Sequence, residues 1–118
     1  MGKDDDWVQT DVSAHKAWAM LGIRSPKACA ILHYFCSLLM PGVDPVVTVS
    51  HESIARRMRC DPRTVRRAVS ILEELNFVQV LRTSKGQKNS FRLNSRVAWT
   101  MDRRDILSSH MSSVLVVD

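Results

Sequence analysis

Apolar residues recur along this 118-residue chain in the two periods that mark regular structure, every three to four positions and every second one. The first period predicts a helix from about Ser13 to Leu21, with Asp11 or Ser13 near its start and Gly22 ending it. Ser25-Pro26 then reads as an N-cap followed by proline at the first helical position. The helix it opens is expected to continue to Met40 and to stop before Pro41-Gly42. Ala28, Ile31, Leu32, Phe35, Leu38 and Leu39 form its main stripe, and Cys29, Cys36 and Met40 add a second apolar edge. A helix this apolar is usually covered on more than one face, here by the first helix or by a second subunit.

Val46 to Val49 is a short β-branched run. Ser50 caps a helix from His51 to Met58 that turns Ile54, Ala55 and Met58 inward. The link Arg59, Cys60, Asp61 and Pro62 leads into the most strongly patterned segment, with Asp61 as N-cap and Pro62 at the first helical position. Wound at about 100° per residue, that segment puts Val65, Ala68, Val69, Leu72 and Leu75 on one side. Arg63, Arg66, Arg67 and Ser70 fall on the other, with Thr64 at the flank. Asn76 suits the left-handed turn that ends the helix. Phe77 to Arg82 and Ser90 to Asn94 read as strands joined by the polar, basic loop Thr83 to Asn89.

Two helices across so tight a link make a helix-turn-helix, and the basic hairpin after them completes a winged-helix order. The expected fold is therefore α+β and mostly helical: a winged helix-turn-helix with an extra N-terminal helix and a two-stranded wing. One domain accommodates it, with residues 1–24 as N-terminal extension, 25–94 as core and 95–118 as C-terminal extension. Trp7 and Val8 are the anchors within residues 1–9. Val97-Ala98-Trp99 and the tail Ser112 to Val117 are left without an assigned element.

Charge sharpens the picture. Residues 1–50 carry four basic and five acidic side chains, whereas residues 51–104 carry thirteen basic and five acidic. A net charge of +5 thus hides a strongly basic middle, the footprint expected for phosphate binding. The major groove of B-form DNA admits one α-helix, and arginine is the best reader of guanine edges there. Arg63, Thr64, Arg66 and Arg67 occupy the first two turns, which enter the groove deepest. Glu74 lies on the same face two turns later, with Glu73 toward the side. Carboxylates there repel phosphate, so contact is expected from Arg63 to Ser70 only. Their place at a helix C-terminus also opposes the macrodipole preference, which points to another task for them.

Lys85 and Lys88 at the hairpin tip, with Arg82 and Arg92 on its strands, suit phosphate or minor-groove contact. Arg56, Arg57 and Arg59 are expected against the DNA backbone or in solvent. Ser50 and His51 either donate to a phosphate or serve as ordinary capping neighbours. Cys29, His33 and Cys36 share a helical edge but offer at most three metal ligands with no second cluster, so a packed or interfacial edge is the expectation and no metal or cofactor is assigned. Cys60 sits beside the link, where it is either a redox-sensitive thiol or merely small.

No glycine-rich phosphate loop or nucleophile elbow is present, and the four histidines are scattered, so the chain is not read as an enzyme. No apolar run approaches membrane-span length. An acidic start and three unpaired-looking cysteines lead to a cytoplasmic expectation.

The run Val47 to Ala55, followed by Arg63 to Ala68 and Leu72 to Leu75, resembles many bacterial winged-helix DNA-binding proteins. Ala14 to Trp18, Ser25 to Ala28 and Asn94 to Trp99 are similar to segments of small helix-turn-helix replication proteins of bacterial plasmids. That resemblance implies recognition of repeated sites at a plasmid origin, with Arg63, Thr64, Arg66 and Arg67 reading the site and host replication proteins recruited as partners. The competing readings are a transcriptional repressor with the same DNA chemistry and a winged helix used for protein interaction. A homodimer, paired through the Pro26 to Met40 helix or the Val114 to Val117 tail, is a further expectation.

Overall fold

The computed structural model describes residues 10–40, 44–82 and 88–98. Trp7, Val8, Trp99, the Ser112 to Val117 tail and most of the hairpin loop, Lys85 included, lie outside them. The described chain runs α1 (Val12–Arg24), α2 (Pro26–Ser37), β1 (Val46–Ser50), α3 (His51–Met58), α4 (Pro62–Glu74), β2 (Val78–Leu81) and β3 (Lys88–Leu93). This is a mostly helical α+β domain with one antiparallel sheet in the order β1-β3-β2.

The helix starts follow from their caps. Asp11 accepts from the Ser13 amide, Ser25 from Ala28, Ser50 from Ser53 and Asp61 from Thr64, each filling one of the orphan donors of a first turn. The ends differ from expectation at two places. Gly22 does not end α1, which continues to Arg24 and stops where Ser25 closes onto the Leu21 carbonyl and Pro26 begins the next helix. A mid-helix glycine costs only about 1 kcal/mol, less than the cap and proline contribute. In the other case α2 stops at Ser37 instead of Met40. Its last turn tightens into short-range bonds, Leu38 to the Phe35 carbonyl and Leu39 to Cys36, while the Ser37 hydroxyl takes the Tyr34 carbonyl at 2.6 Å.

Asn76 does adopt the left-handed conformation (φ 65°) after α4. Its amide donates to Glu73 and that of Phe77 to Leu72, a Schellman closure. The hairpin is not an isolated two-stranded wing. β1 adds to β3, with Val47 opposite Phe91 and Val80 opposite Phe91 on the other side, so β3 is the central strand. Four β-branched residues in β1 and an inward Val47 and Val49 make this pairing natural, since a two-stranded ribbon alone is marginal in water.

α1 is the cover for one face of α2: Ala14, Ala17 and Leu21 are buried together with Ala28, Ile31, Leu32 and Phe35. Phe35 stacks on Phe91 of β3 at 4.7 Å between centroids, joining helices to sheet. α4 contributes Val65, Ala68, Val69 and Leu72 to the same core. The two limits of the described domain meet, since the Asp11 amide donates to the Arg96 carbonyl at 3.0 Å. No helix among the described residues is long and apolar enough to cross a membrane.

One fully buried polar side chain locks the exit of the sheet. The Asn94 amide nitrogen donates to the Asn76 carbonyl at 2.9 Å, and its oxygen accepts from the Arg96 amide at 3.0 Å. Replacing Asn94 by alanine strips both partners, so a loss of about 1–3 kcal/mol is expected. Urea unfolding checks this as a lower midpoint with an unchanged slope.

Candidate nucleic-acid interface

α3 and α4 meet across a turn of unusual backbone. Arg59 has φ 54° and ψ 48°, the left-handed region that favours glycine. Its amide donates to Arg56 and that of Cys60 to Ala55, closing α3 as a Schellman motif. The following Asp61 carboxylate accepts from the Thr64 amide at 2.8 Å and starts α4. Its pKa lies below the usual 3.8, held down first by the Thr64 backbone hydrogen bond and then by the Thr64 side chain.

The back of α4 is the buried stripe foreseen from its spacing, and its front is exposed at Arg63, Arg66, Arg67 and Ser70. Thr64 is half-buried at the flank. Arg56, Arg57 and Arg59 are exposed on α3 and the turn. Arg66 and Ser70 face a crevice toward the sheet, which His51, Val69, Glu73, Val80, Arg82 and Asn89 complete. Arg63 and Arg67 do not line it.

The two glutamates have found cations. Glu74 accepts from Arg24 of α1 at 2.7 Å and Glu73 pairs with Arg82, after β2, at 3.5 Å. Both pairs are exposed and contribute about 1 kcal/mol or less each. Their main effect is on charge, since they neutralise the end of α4 and leave the positive field at its first turns. Sequence spacing within α4 carried no signal for either partner, because Arg24 is 50 residues away.

The remaining site residues fall in different settings. The Ser50 hydroxyl is engaged, accepting from the Ser53 amide and donating to the Ser53 hydroxyl, both at 3.0 Å. His51 is half-buried beside Phe91, with Nε2 3.5 Å from the Asn89 amide nitrogen. Burial, then the Arg66 and Arg82 charges, lower its pKa from 6.5. Arg92 is turned to the fold and pairs with Asp44 at 3.5 Å. Lys88 begins β3 opposite Ser50, while Lys85 lies outside the described residues.

Cys29, His33 and Cys36 line a cleft of about 580 Å³ between α1 and α2, together with Trp18, whose ring meets His33 at 4.7 Å. Burial pushes the Cys36 thiol up to about 12, so it stays protonated at neutral pH. Among the described residues no three His, Cys, Asp or Glu side chains come together to hold a metal. Cys60 is half-buried beside Arg56 and Arg59.

No family model, curated protein or solved structure matches the chain. The chemistry of the site is therefore carried by its own geometry.

The Asp61 cap gives a pH-dependent expectation. A carboxyl whose folded pKa is depressed adds stability that is present above 3.8 and lost as pH falls through the lowered value. Hydrogen exchange at the Thr64 amide should accelerate across that window, and in an Asp61→Ala variant at every pH. The Leu72 amide, inside the helix, should not change.

Proposed function

We propose that this chain is a sequence-specific double-stranded DNA-binding protein of the winged helix-turn-helix type. α4 is the recognition helix in the major groove, and the β2–β3 hairpin is the wing. The observation that carries this is the α3–α4 unit itself. Six exposed arginines (Arg56, Arg57, Arg59, Arg63, Arg66 and Arg67) stand on one short turn and the two helices it joins, while both carboxylates at the end of α4 are paired elsewhere. A surface of that density suits a polyanion.

The geometry also divides the labour. Arg63 and Arg67, on the open front, are the base readers, and Arg66, drawn toward the crevice, holds the backbone. Arg59 adds independent support. A non-glycine residue in the left-handed region costs about 1 kcal/mol or more, and among the described residues no hydrogen bond or ion pair engages its side chain. A charge retained at such a cost is consistent with a ligand outside the chain.

The role in the cell rests on the resemblance to plasmid replication proteins, so replication initiation or copy control by recruitment of host replication proteins is part of the proposal. A second copy belongs to it as well, since two units read a longer site. Val12 and Ile23, 84% and 77% exposed on α1, provide apolar surface for that pairing. Footprinting at the origin of the plasmid that carries the gene tests the role. Absence of protection there, with derepression of a promoter on gene deletion, would assign a transcriptional repressor instead.

Selection from a random duplex pool supplies the site for two measurements. Arg67→Ala should weaken binding to the selected duplex by about 1–3 kcal/mol and leave random duplex nearly unaffected. Absence of binding to any duplex at low salt would overturn the DNA reading in favour of a protein partner. Arg59→Gly should keep the fold as stable as before, or raise stability by up to about 1 kcal/mol, while lowering duplex affinity severalfold. Thermal unfolding and fluorescence anisotropy read the two arms.

A further inference from the structure

The crevice between α4 and the sheet collects chemistry that capping and packing do not use. Its volume is about 190 Å³, ample room for one small tetrahedral group. Val69 and Val80 give it an apolar lining, and Arg66, Ser70, Arg82, Asn89 and His51 bring donors to it from α4, the end of β2, β3 and α3. Glu73 is the one carboxylate among the lining residues, and it is paired with Arg82 at 3.5 Å. Two guanidinium groups against one carboxylate leave the crevice positive, and a wall of low polarity strengthens its pull on an anion. Three separate elements and the start of the hairpin must be in register for these groups to converge.

We propose that this crevice seats a single phosphate of the nucleic-acid backbone, held by Arg66, Arg82, Asn89 and the protonated ring of His51, so that binding is linked to proton uptake at that ring. The inference rests on the DNA-binding reading and adds to it the subsite and its proton.

Without a ligand the site disfavours the proton. Burial beside Phe91 lowers the ring's affinity for it most, and Arg66 on α4 and Arg82 beyond β2 repel it further. The Asn89 amide nitrogen faces Nε2 at 3.5 Å, where it can donate only to the neutral ring. Glu73 is the counter-charge on α4, but its partner is Arg82. A phosphate reverses the charge terms and outweighs the burial. It neutralises the two arginines, accepts a charge-assisted bond from the imidazolium, and competes with Glu73 for Arg82. The amide of Asn89 can rotate to present its oxygen or to donate to the phosphate in turn. The free ring titrates below 6.5 and the bound ring above its free value, so affinity is greatest below the free value and declines as pH rises through the bound one.

The test uses the full chain and a duplex of about 20 base pairs, long enough for two half-sites one helical turn apart. The His51 ring resonances are followed by NMR through a pH titration, with and without saturating duplex at low salt. The ring titration should move up by about one pH unit on binding, equivalent to about tenfold tighter binding at the acidic limit than at the alkaline one. His51→Gln should bind at every pH as the wild type does at the alkaline limit, and Glu73→Gln, which frees Arg82, should bind more tightly. If wild-type protein binds duplex but the ring titration does not move, and the pH dependence survives in His51→Gln, the subsite is overturned and the DNA reading stands. If no duplex binds wild type, both fall together.

Discussion

The stacked pair Phe35–Phe91 is the contact on which the rest of the molecule depends. Phe35 belongs to α2, the helix against which α1 and α4 pack, and Phe91 to β3, the strand that pairs on both sides. Their rings, 4.7 Å apart, are fully buried and tie α2 to the central strand of the sheet. Offset aromatic pairs add about 0.5–1.5 kcal/mol beyond the area they bury. The geometric consequence is larger. His51 lies 6.3 Å from Phe91, so the ring that braces the core also sets the floor beside the start of α3. The spacing between α4 and the hairpin thus follows in part from a joint that α4 does not contain.

A rigid back is what lets α4 carry so unfavourable a front. Arg63, Arg66 and Arg67 lie within two turns and repel one another, and nothing in α4's own sequence relieves that until Glu73 and Glu74. Burial of Val65, Val69 and Leu72, each contributing about 1.5–3 kcal/mol when removed from water, with a smaller share from Ala68, outweighs the repulsion. Among the described residues, Arg66 and Arg67 are thereby held at the surface without a carboxylate in salt-bridge contact. The same logic extends to Arg59, whose strained backbone is tolerated because the Schellman bonds and the Asp61 cap fix the turn on either side.

Much of this was legible from residue order because it is local. Caps at Ser25, Ser50 and Asp61, the left-handed Asn76, and the two faces of α4 are all decided within a few residues, where spacing and side-chain chemistry speak directly. What spacing could not convey is long-range pairing. Whether β1 would join the hairpin depended on Val47 meeting Phe91, 44 positions away in the register. The partners of Glu73 and Glu74, and the turn of Arg92 toward Asp44, depended on the fold in the same way. Gly22 and the end of α2 were misjudged for a different reason. Glycine and proline mark stops by local propensity, whereas the cap at Ser25 and the hydroxyl of Ser37 decide these ends.

The arginine stripe therefore gains its meaning from residues outside it. Taken alone, α4 has an anion-seeking front along its whole length that two carboxylates interrupt. In the folded chain Arg24 and Arg82 take those carboxylates, one at each side of the helix end. The positive field is left at the first two turns and in the crevice beside them. Under the proposed function, a ligand that follows this field meets α4 by its N-terminal half and the sheet edge together, the approach expected of a double-stranded backbone with one groove open to the helix.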